Sequence, residues 1–168
     1  MVGALSRYLG ADVSAKVGAQ HALDTGYFNR IGALDYAIAH DDGQGALDQL
    51  ELADVVLCGV SRTSKTPTCI YLAHRGIRAA NVPLVPGQED GERLTALKNP
   101  LVVGLTVSPD RLVQIRRNRL DGLNAGHASE YVDHDAVREE TIKARRAFER
   151  RGYCLLYTSD AADDLLCV

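Results

Sequence analysis

Gly59-Val60-Ser61-Arg62-Thr63-Ser64-Lys65-Thr66 is the stretch whose residue types and spacing best suit chemistry on an anion. The phosphate-binding pattern G-x-x-x-x-G-K-[ST] finds its first glycine, its lysine and its hydroxyl residue here; Ser64 stands where the pattern has a second glycine. Gly59 lets the chain leave a strand in a tight turn. Successive backbone N–H groups then form a nest for anionic oxygens. A helix starting near Thr66 adds its positive dipole end. In this reading Lys65 bridges terminal phosphate oxygens, Thr66 holds Mg2+, and Arg62 supplies a further fork for a phosphate. A Cβ at Ser64 is expected to force a different backbone path. The plain alternative is an ordinary polar strand-to-helix loop, and the flanking strand and helix patterns weigh against it.

Two further clusters invite the same question. His40-Asp41-Asp42-Gly43 places two carboxylates beside a histidine, and Asp41 or Asp42 could bind Mg2+ or act as a base. Taken alone, the cluster reads better as a turn at a helix C-terminus. Arg111, Arg116, Arg117 and Arg119 could bind phosphate or an acidic partner, but their spacing favours a solvated helix face. Asp110 is a weak candidate for a metal-binding aspartate at a strand end and reads better as part of a helix cap.

The elements that must position these residues are legible from periodicity. Asp54–Gly59 is an apolar run ending in glycine and predicts a buried parallel strand before the loop. Pro67, Cys69, Ile70, Leu72 and Ala73 predict a helix after it, with Gly76 at its end. Ala80–Val85 and Leu101–Val107 predict further strands. Ser108-Pro109 predicts the start of a helix carrying Leu112, Ile115 and Leu120. Tyr27, Phe28, Ile31, Leu34 and Ile38 recur at helical spacing after Asp24 or Thr25 as cap, and predict an earlier helix buried on that face. Ala46–Leu52 and Glu89–Lys98 predict shorter helices, and Asp133–Arg151 a long charged one that buries Val137, Ala144 and Phe148. Alternating strands and helices predict an α/β fold, a mostly parallel sheet with flanking helices and a P-loop-like nucleotide-binding unit.

Composition narrows the function classes. The chain has 168 residues, 46% of them hydrophobic and 24% charged, enough apolar side chain to build a core. A formal charge of −3 argues against coating nucleic acid or an anionic membrane. No apolar run approaches the roughly 20 residues of a membrane-spanning helix. The four cysteines, Cys58, Cys69, Cys154 and Cys167, form no CxxC pair, which fits a reducing cytoplasm and disfavours a structural metal.

The run at 59–68, Gly-Val-Ser-Arg-Thr-Ser-Lys-Thr-Pro-Thr, resembles the bifunctional kinase–pyrophosphorylase family. These are the regulatory proteins of pyruvate, phosphate dikinase and of phosphoenolpyruvate synthase. Tyr71-Leu72-Ala73, Ala80–Pro86, Gln20–Asp24, Tyr27-Phe28, His40–Gly43, Val103–Thr106, Ile115-Arg116 and the Glu139-Glu140 helix carry the likeness across residues 5–153. The resemblance implies an ADP-dependent protein kinase that phosphorylates a threonine beside the target's catalytic histidine and releases AMP. It also implies the reverse pyrophosphorylase step, in which inorganic phosphate attacks the phosphothreonine and pyrophosphate leaves. It places ADP on Gly59, Val60, Ser61, Arg62, Thr63, Ser64, Lys65 and Thr66, in a cytoplasmic transferase. Within the family a serine at the Ser64 position is ordinary. The expected partner is the dikinase or the synthase, not nucleic acid or membrane, and a homodimer is left open. Rival readings are a P-loop kinase of a small metabolite and a nucleotide-binding fragment without turnover.

Against the family pattern the chain reads as truncated at both ends. Cys154–Asp164 resembles a translated sequencing adapter, so residues 154–168 are read as an artefact tail and left out of fold reasoning. The expected organisation is an N-terminal remnant and helix over 1–45, the nucleotide-binding unit over 46–153, and that tail.

Overall fold

A computed structural model of the chain describes residues 25–43, 47–84, 94–122 and 129–158, together with Tyr8 and Gly10. Its sheet has four parallel strands: β1 (Val55–Gly59), β2 (Ala79–Pro83), β3 (Leu101–Thr106) and β4 (Cys154–Tyr157), in the order β2-β1-β3-β4. The helices are α1 (Thr25–Ala39), α2 (Leu47–Leu50), α3 (Lys65–Ala73), α4 (Pro109–Gly122) and α5 (His134–Arg151), with single 3-10 turns at Asp41–Gly43 and Ser129–Val132. The expected α/β class, with a parallel sheet between helices, is what the chain forms.

β1 lies at the centre, with Val55 beside Ala79 of β2 on one side and beside Leu101 of β3 on the other. Its side chains alternate between two buried faces. Leu57 packs with Ala33 and Ala37 of α1 and with Cys69 and Ala73 of α3. Val56 and Cys58 pack with Leu50, Ala80, Val82, Leu94 and Phe148 on the opposite face. A strand covered on both faces has no polar position to spare, which is why Val55–Gly59 reads as continuous apolar sequence. Gly104 of β3 is required by this packing: a Cβ there would stand 2.6 Å from the Phe148 ring.

Local signals place the helix ends. Asp133 accepts the Ala136 N–H at 2.8 Å, and Gly152 closes α5 at φ 67°. Gly76, at φ 79°, ends the turn after α3. Pro109 opens α4 as expected.

Two expectations are corrected. α1 does not bury Tyr27, Phe28, Ile31 or Ile38, all of them exposed; it buries Ala33 and Ala37. Two small residues on one face let α1 approach Cys69 and Ala73 closely, and the bulky apolar residues fall on other faces. β2 runs from Ala79 to Pro83, one residue earlier than expected at its start. Of the tail set aside on sequence grounds, Cys154–Tyr157 pair with β3, Val103 standing beside Cys154 and Thr106 beside Tyr157. An apolar tetrapeptide following a crossover helix meets the open edge of β3, and the ladder satisfies its backbone groups. Gln20–Asp24, Gly45, Val85–Arg93, Leu123–Ala128 and Ser159–Val168 lie outside the described residues.

Candidate functional site

The loop from Val60 to Ser64 leaves β1 at its C-terminal end, the edge at which open parallel α/β sheets bind ligands. Gly59 is constrained by close approach: a Cβ would stand 2.7 Å from both the Leu105 carbonyl oxygen and Thr63 Oγ1. The turn conformation lies further on. Arg62 and Ser64 both have positive φ, 74° and 61°. Ser64 therefore adopts the left-handed conformation glycine would, so its Cβ does not divert the chain as expected. Such a backbone costs a non-glycine residue about 1–2 kcal/mol, and strain of this kind concentrates where function dictates geometry. Ser61 and Arg62 form a turn, and the chain then passes through Thr63 and Ser64 into α3.

Lys65 is the first residue of α3 and is buried. Its Nζ donates to the Val60 carbonyl at 2.9 Å, and Thr63 Oγ1 donates to the same oxygen at 3.0 Å. The lysine thus spans the loop from beneath. Burial lowers its pKa below the usual lysine range, opposed by the charges of Asp42 and Asp41. Cys58 and Cys69 lie close by, and burial raises both thiols to about 12, so neither is a nucleophile at neutral pH.

The Asp41–Asp42 turn meets this loop. The turn stops α1, as its Asp and Gly residues suggest, and it also brings its carboxylates to α3. Asp42 and Gly43 take positive φ, 53° and 77°. The His40 carbonyl accepts the Asn81 backbone N–H at 3.0 Å, which docks the turn on β2. Thr66 Oγ1 then donates to Asp41 Oδ1 at 2.8 Å. His40 itself turns away from the carboxylates: it stacks on Tyr36 with ring centres 4.0 Å apart, and its Nδ1 lies 2.8 Å from the Tyr36 carbonyl.

Sequence reasoning missed Asn81. It is buried on β2, and its Nδ2 lies 2.6 Å from Asp41 Oδ1 and 3.0 Å from Thr66 Oγ1. Its Oδ1 is buried without a partner, which costs about 1–3 kcal/mol. The only available signal was a polar residue inside an otherwise apolar strand.

Arg116 is also corrected. It is not on a solvated face but 2% exposed, and it donates to Glu140 at 2.8 Å and to the Ser61 carbonyl at 3.3 Å. Tyr131, which the sequence did not single out, lies against it, with its hydroxyl 3.5 Å from Ser61 Oγ. Burial would raise the Tyr131 phenol, but hydrogen bonding from Ser61 and Arg62 and the charges of Arg116 and Arg62 outweigh it and lower its pKa. Asp110, exposed, pairs with His134 at 2.8 Å and takes no part in the site.

These residues surround a cavity of about 320 Å3 lined by Arg62, Ser64, Lys65, Thr66, Asp42 and Asn81, among others. Two cations, three hydroxyl residues and a carboxylate line one concavity. That arrangement suits a polyanion with room for a counter-cation.

The kinase/pyrophosphorylase family model matches residues 1–162. The chain belongs to the kinase/pyrophosphorylase family. It is 67% identical over 153 residues, 91% of its own length, to a Caulobacter vibrioides protein named "Putative pyruvate, phosphate dikinase regulatory protein". Proteins of the same name from Maricaulis maris and Hyphomonas neptunium are 58% and 52% identical over 89% and 90% of this chain. The matches cover 48%, 53% and 55% of those three proteins, so the chain spans about half the length of the curated relatives it matches.

Proposed function

We propose that this chain carries the nucleotide site of an ADP-dependent protein threonine kinase that also acts as a phosphate-dependent pyrophosphorylase. The carrying observation is the convergence of Arg62, Lys65, Thr66 and Asp42 on one cavity at the C-terminal end of β1. In the forward direction a threonine hydroxyl attacks the β-phosphorus of ADP, the bond to the bridging oxygen breaks, AMP leaves and the hydroxyl proton is released. In the reverse direction inorganic phosphate attacks the phosphothreonine phosphorus, pyrophosphate leaves and the threonine hydroxyl takes up a proton. Both directions concentrate negative charge on transferring oxygens, and Lys65 and Arg62 supply matching cationic donors. Asp41 or Asp42 serves to orient the incoming hydroxyl.

Magnesium fits this site only together with a nucleotide. Thr66 Oγ1 and the Asp41 and Asp42 carboxylates are the hard oxygen donors Mg2+ requires, but no group of three or more acidic, histidine or cysteine side chains poised for a metal occurs among the described residues. Mg2+ commonly accepts one or two carboxylates when phosphates complete its shell. When bound, it would neutralise charge on the phosphate oxygens.

The relatives' name points to pyruvate, phosphate dikinase as the target, ahead of phosphoenolpyruvate synthase. We place the reaction in the cytoplasm, consistent with free cysteines at 58, 69 and 154. Among the described residues, no helix is long and apolar enough to cross a membrane.

Incubation with dikinase and ADP labelled in its β-phosphate tests the proposal. Label on a dikinase threonine, removed by phosphate with formation of pyrophosphate, is the expected result. Label on a small metabolite would overturn the protein-kinase reading. Binding without transfer would assign this half of the relatives' length to nucleotide capture alone.

A further inference from the structure

We infer that Asn81 is a positioning residue for the phosphate end of the site, acting through Thr66 and Asp41; the inference rests on the nucleotide reading above. Asn81 belongs to β2, a different strand from the one that launches the loop. Its amide nitrogen donates to Asp41 Oδ1 at 2.6 Å and to Thr66 Oγ1 at 3.0 Å, with Asp42 Oδ1 at 3.4 Å. The Thr66 hydroxyl itself donates to Asp41 Oδ1 at 2.8 Å. The three groups close a compact triangle of hydrogen bonds centred on Asp41 Oδ1.

The other end of the amide shows what fixes this arrangement. Asn81 is 1% exposed, and its Oδ1 has no hydrogen-bond partner. Turning the amide over would set that oxygen against the Asp41 carboxylate at the nitrogen's present 2.6 Å, where only repulsion is available. Asp41 and Thr66 therefore dictate the amide's orientation, and the orphaned oxygen is the consequence. A residue that merely filled space in β2 would be apolar, like Ala80 and Val82 on either side. A buried polar atom left unsatisfied calls for a functional explanation.

The triangle commits specific atoms. The Thr66 proton is held on Asp41, and one Thr66 lone pair accepts from Asn81. One lone pair stays uncommitted on an oxygen that lines the cavity. The Asp41 carboxylate receives two donors on a single oxygen and is locked beside it. Asn81 thus presets the hydroxyl rotor and the carboxylate before a metal–nucleotide complex arrives, which lowers the ordering cost of binding.

The test is calorimetric titration of the 168-residue chain and its Asn81→Leu and Asn81→Ser variants with ADP, with and without Mg2+. Thermal midpoints measured alongside report folding. Asn81→Leu should weaken MgADP binding about tenfold and change metal-free ADP binding less than about twofold. Asn81→Ser, too short to reach both partners, should show the same Mg2+-dependent loss, and it decides alone if Asn81→Leu fails to fold. Equal losses with and without Mg2+ would reduce Asn81 to packing and overturn the inference. So would unchanged binding. Absence of MgADP binding by the unsubstituted chain would instead remove the nucleotide reading, and this inference with it.

Discussion

The Arg116 guanidinium lies 4.6 Å from the centre of the Tyr131 ring. The same buried cation pairs with Glu140 on α5 and reaches the Ser61 carbonyl, so one side chain joins α4, α5 and the loop that follows β1. Loop geometry therefore depends on helices that follow it by many residues.

Arg116→Met should be strongly destabilising. It leaves Glu140, 21% exposed, without its partner, and it frees the Ser61 carbonyl. Removing one member of a buried ion pair costs about 3–5 kcal/mol, and the partial exposure of Glu140 places this case near about 3. The urea midpoint should fall accordingly, while Glu140→Gln, which keeps an acceptor oxygen, should lose less. Equal midpoints for Arg116→Met and the unsubstituted chain would show that the pair carries no stability.

Lys65→Ala should abolish measurable ADP binding in calorimetry. Loss of a charged hydrogen bond of about 3 kcal/mol corresponds to roughly a 100-fold change. Unchanged affinity would remove Lys65 from the site.

The lowered pKa of Lys65 gives a pH signature. Burial favours its neutral form in the folded chain, so the proton is lost below the ordinary value of 10.5. Between the folded value and 10.5 the unfolded chain binds more protons, and this residue's contribution to stability rises with pH. Anion affinity should move the opposite way and fall as pH rises through the folded value. Lys65→Arg should flatten that alkaline decline if it retains binding, because arginine stays protonated throughout. A decline identical in both proteins would assign the titration to another group.

Ser64→Gly should stabilise the loop. The native φ of 61° is unstrained only for glycine. Against a relief of about 1–2 kcal/mol stands the extra entropy of an unfolded glycine, about 0.5–1 kcal/mol. The net expectation is a thermal midpoint unchanged or higher, with ADP binding intact. A clear drop in the midpoint would mean that the serine contributes more than its backbone.

Gly104→Ala should be costly. Its methyl would stand 2.6 Å from the Phe148 ring, in a face of the core where that ring is fully buried. Overpacking of this kind costs about 1–3 kcal/mol, measurable in chemical denaturation. Trimming the ring with Phe148→Leu in the same chain should recover part of the loss.

Much of this architecture was legible because local signals were strong. Val55–Gly59 and Leu101–Thr106 are apolar runs too long to be loops, and Ser108-Pro109 and Asp133 announce helix starts. The loop at 59–66 stood out because its glycine, lysine and threonine fall in register with the phosphate-binding pattern. What failed was tertiary. Helical spacing groups Tyr27, Phe28, Ile31 and Ile38, but it does not reveal that the neighbouring helix demands the small residues Ala33 and Ala37. Asn81 and Arg116 escaped for the same reason. Each acquires its meaning from partners distant in sequence: Asp41 and Thr66 for the first, Glu140 and Ser61 for the second. Asp41 and Asp42 gain theirs only when the turn after α1 docks on β2.

The central position of β1 shapes how the chain comes together. Parallel neighbours admit no hairpin, so β1 gains its first ladder only after α3 has folded back to deliver β2, and its second only after a longer segment has returned β3. Each closure must be met entropically before any strand contact rewards it. Assembly should accordingly be unhurried, on the millisecond-to-second scale typical of non-local topologies. The loop at 59–66 starts beside β3, whose Leu105 carbonyl leaves no room for a side chain at Gly59.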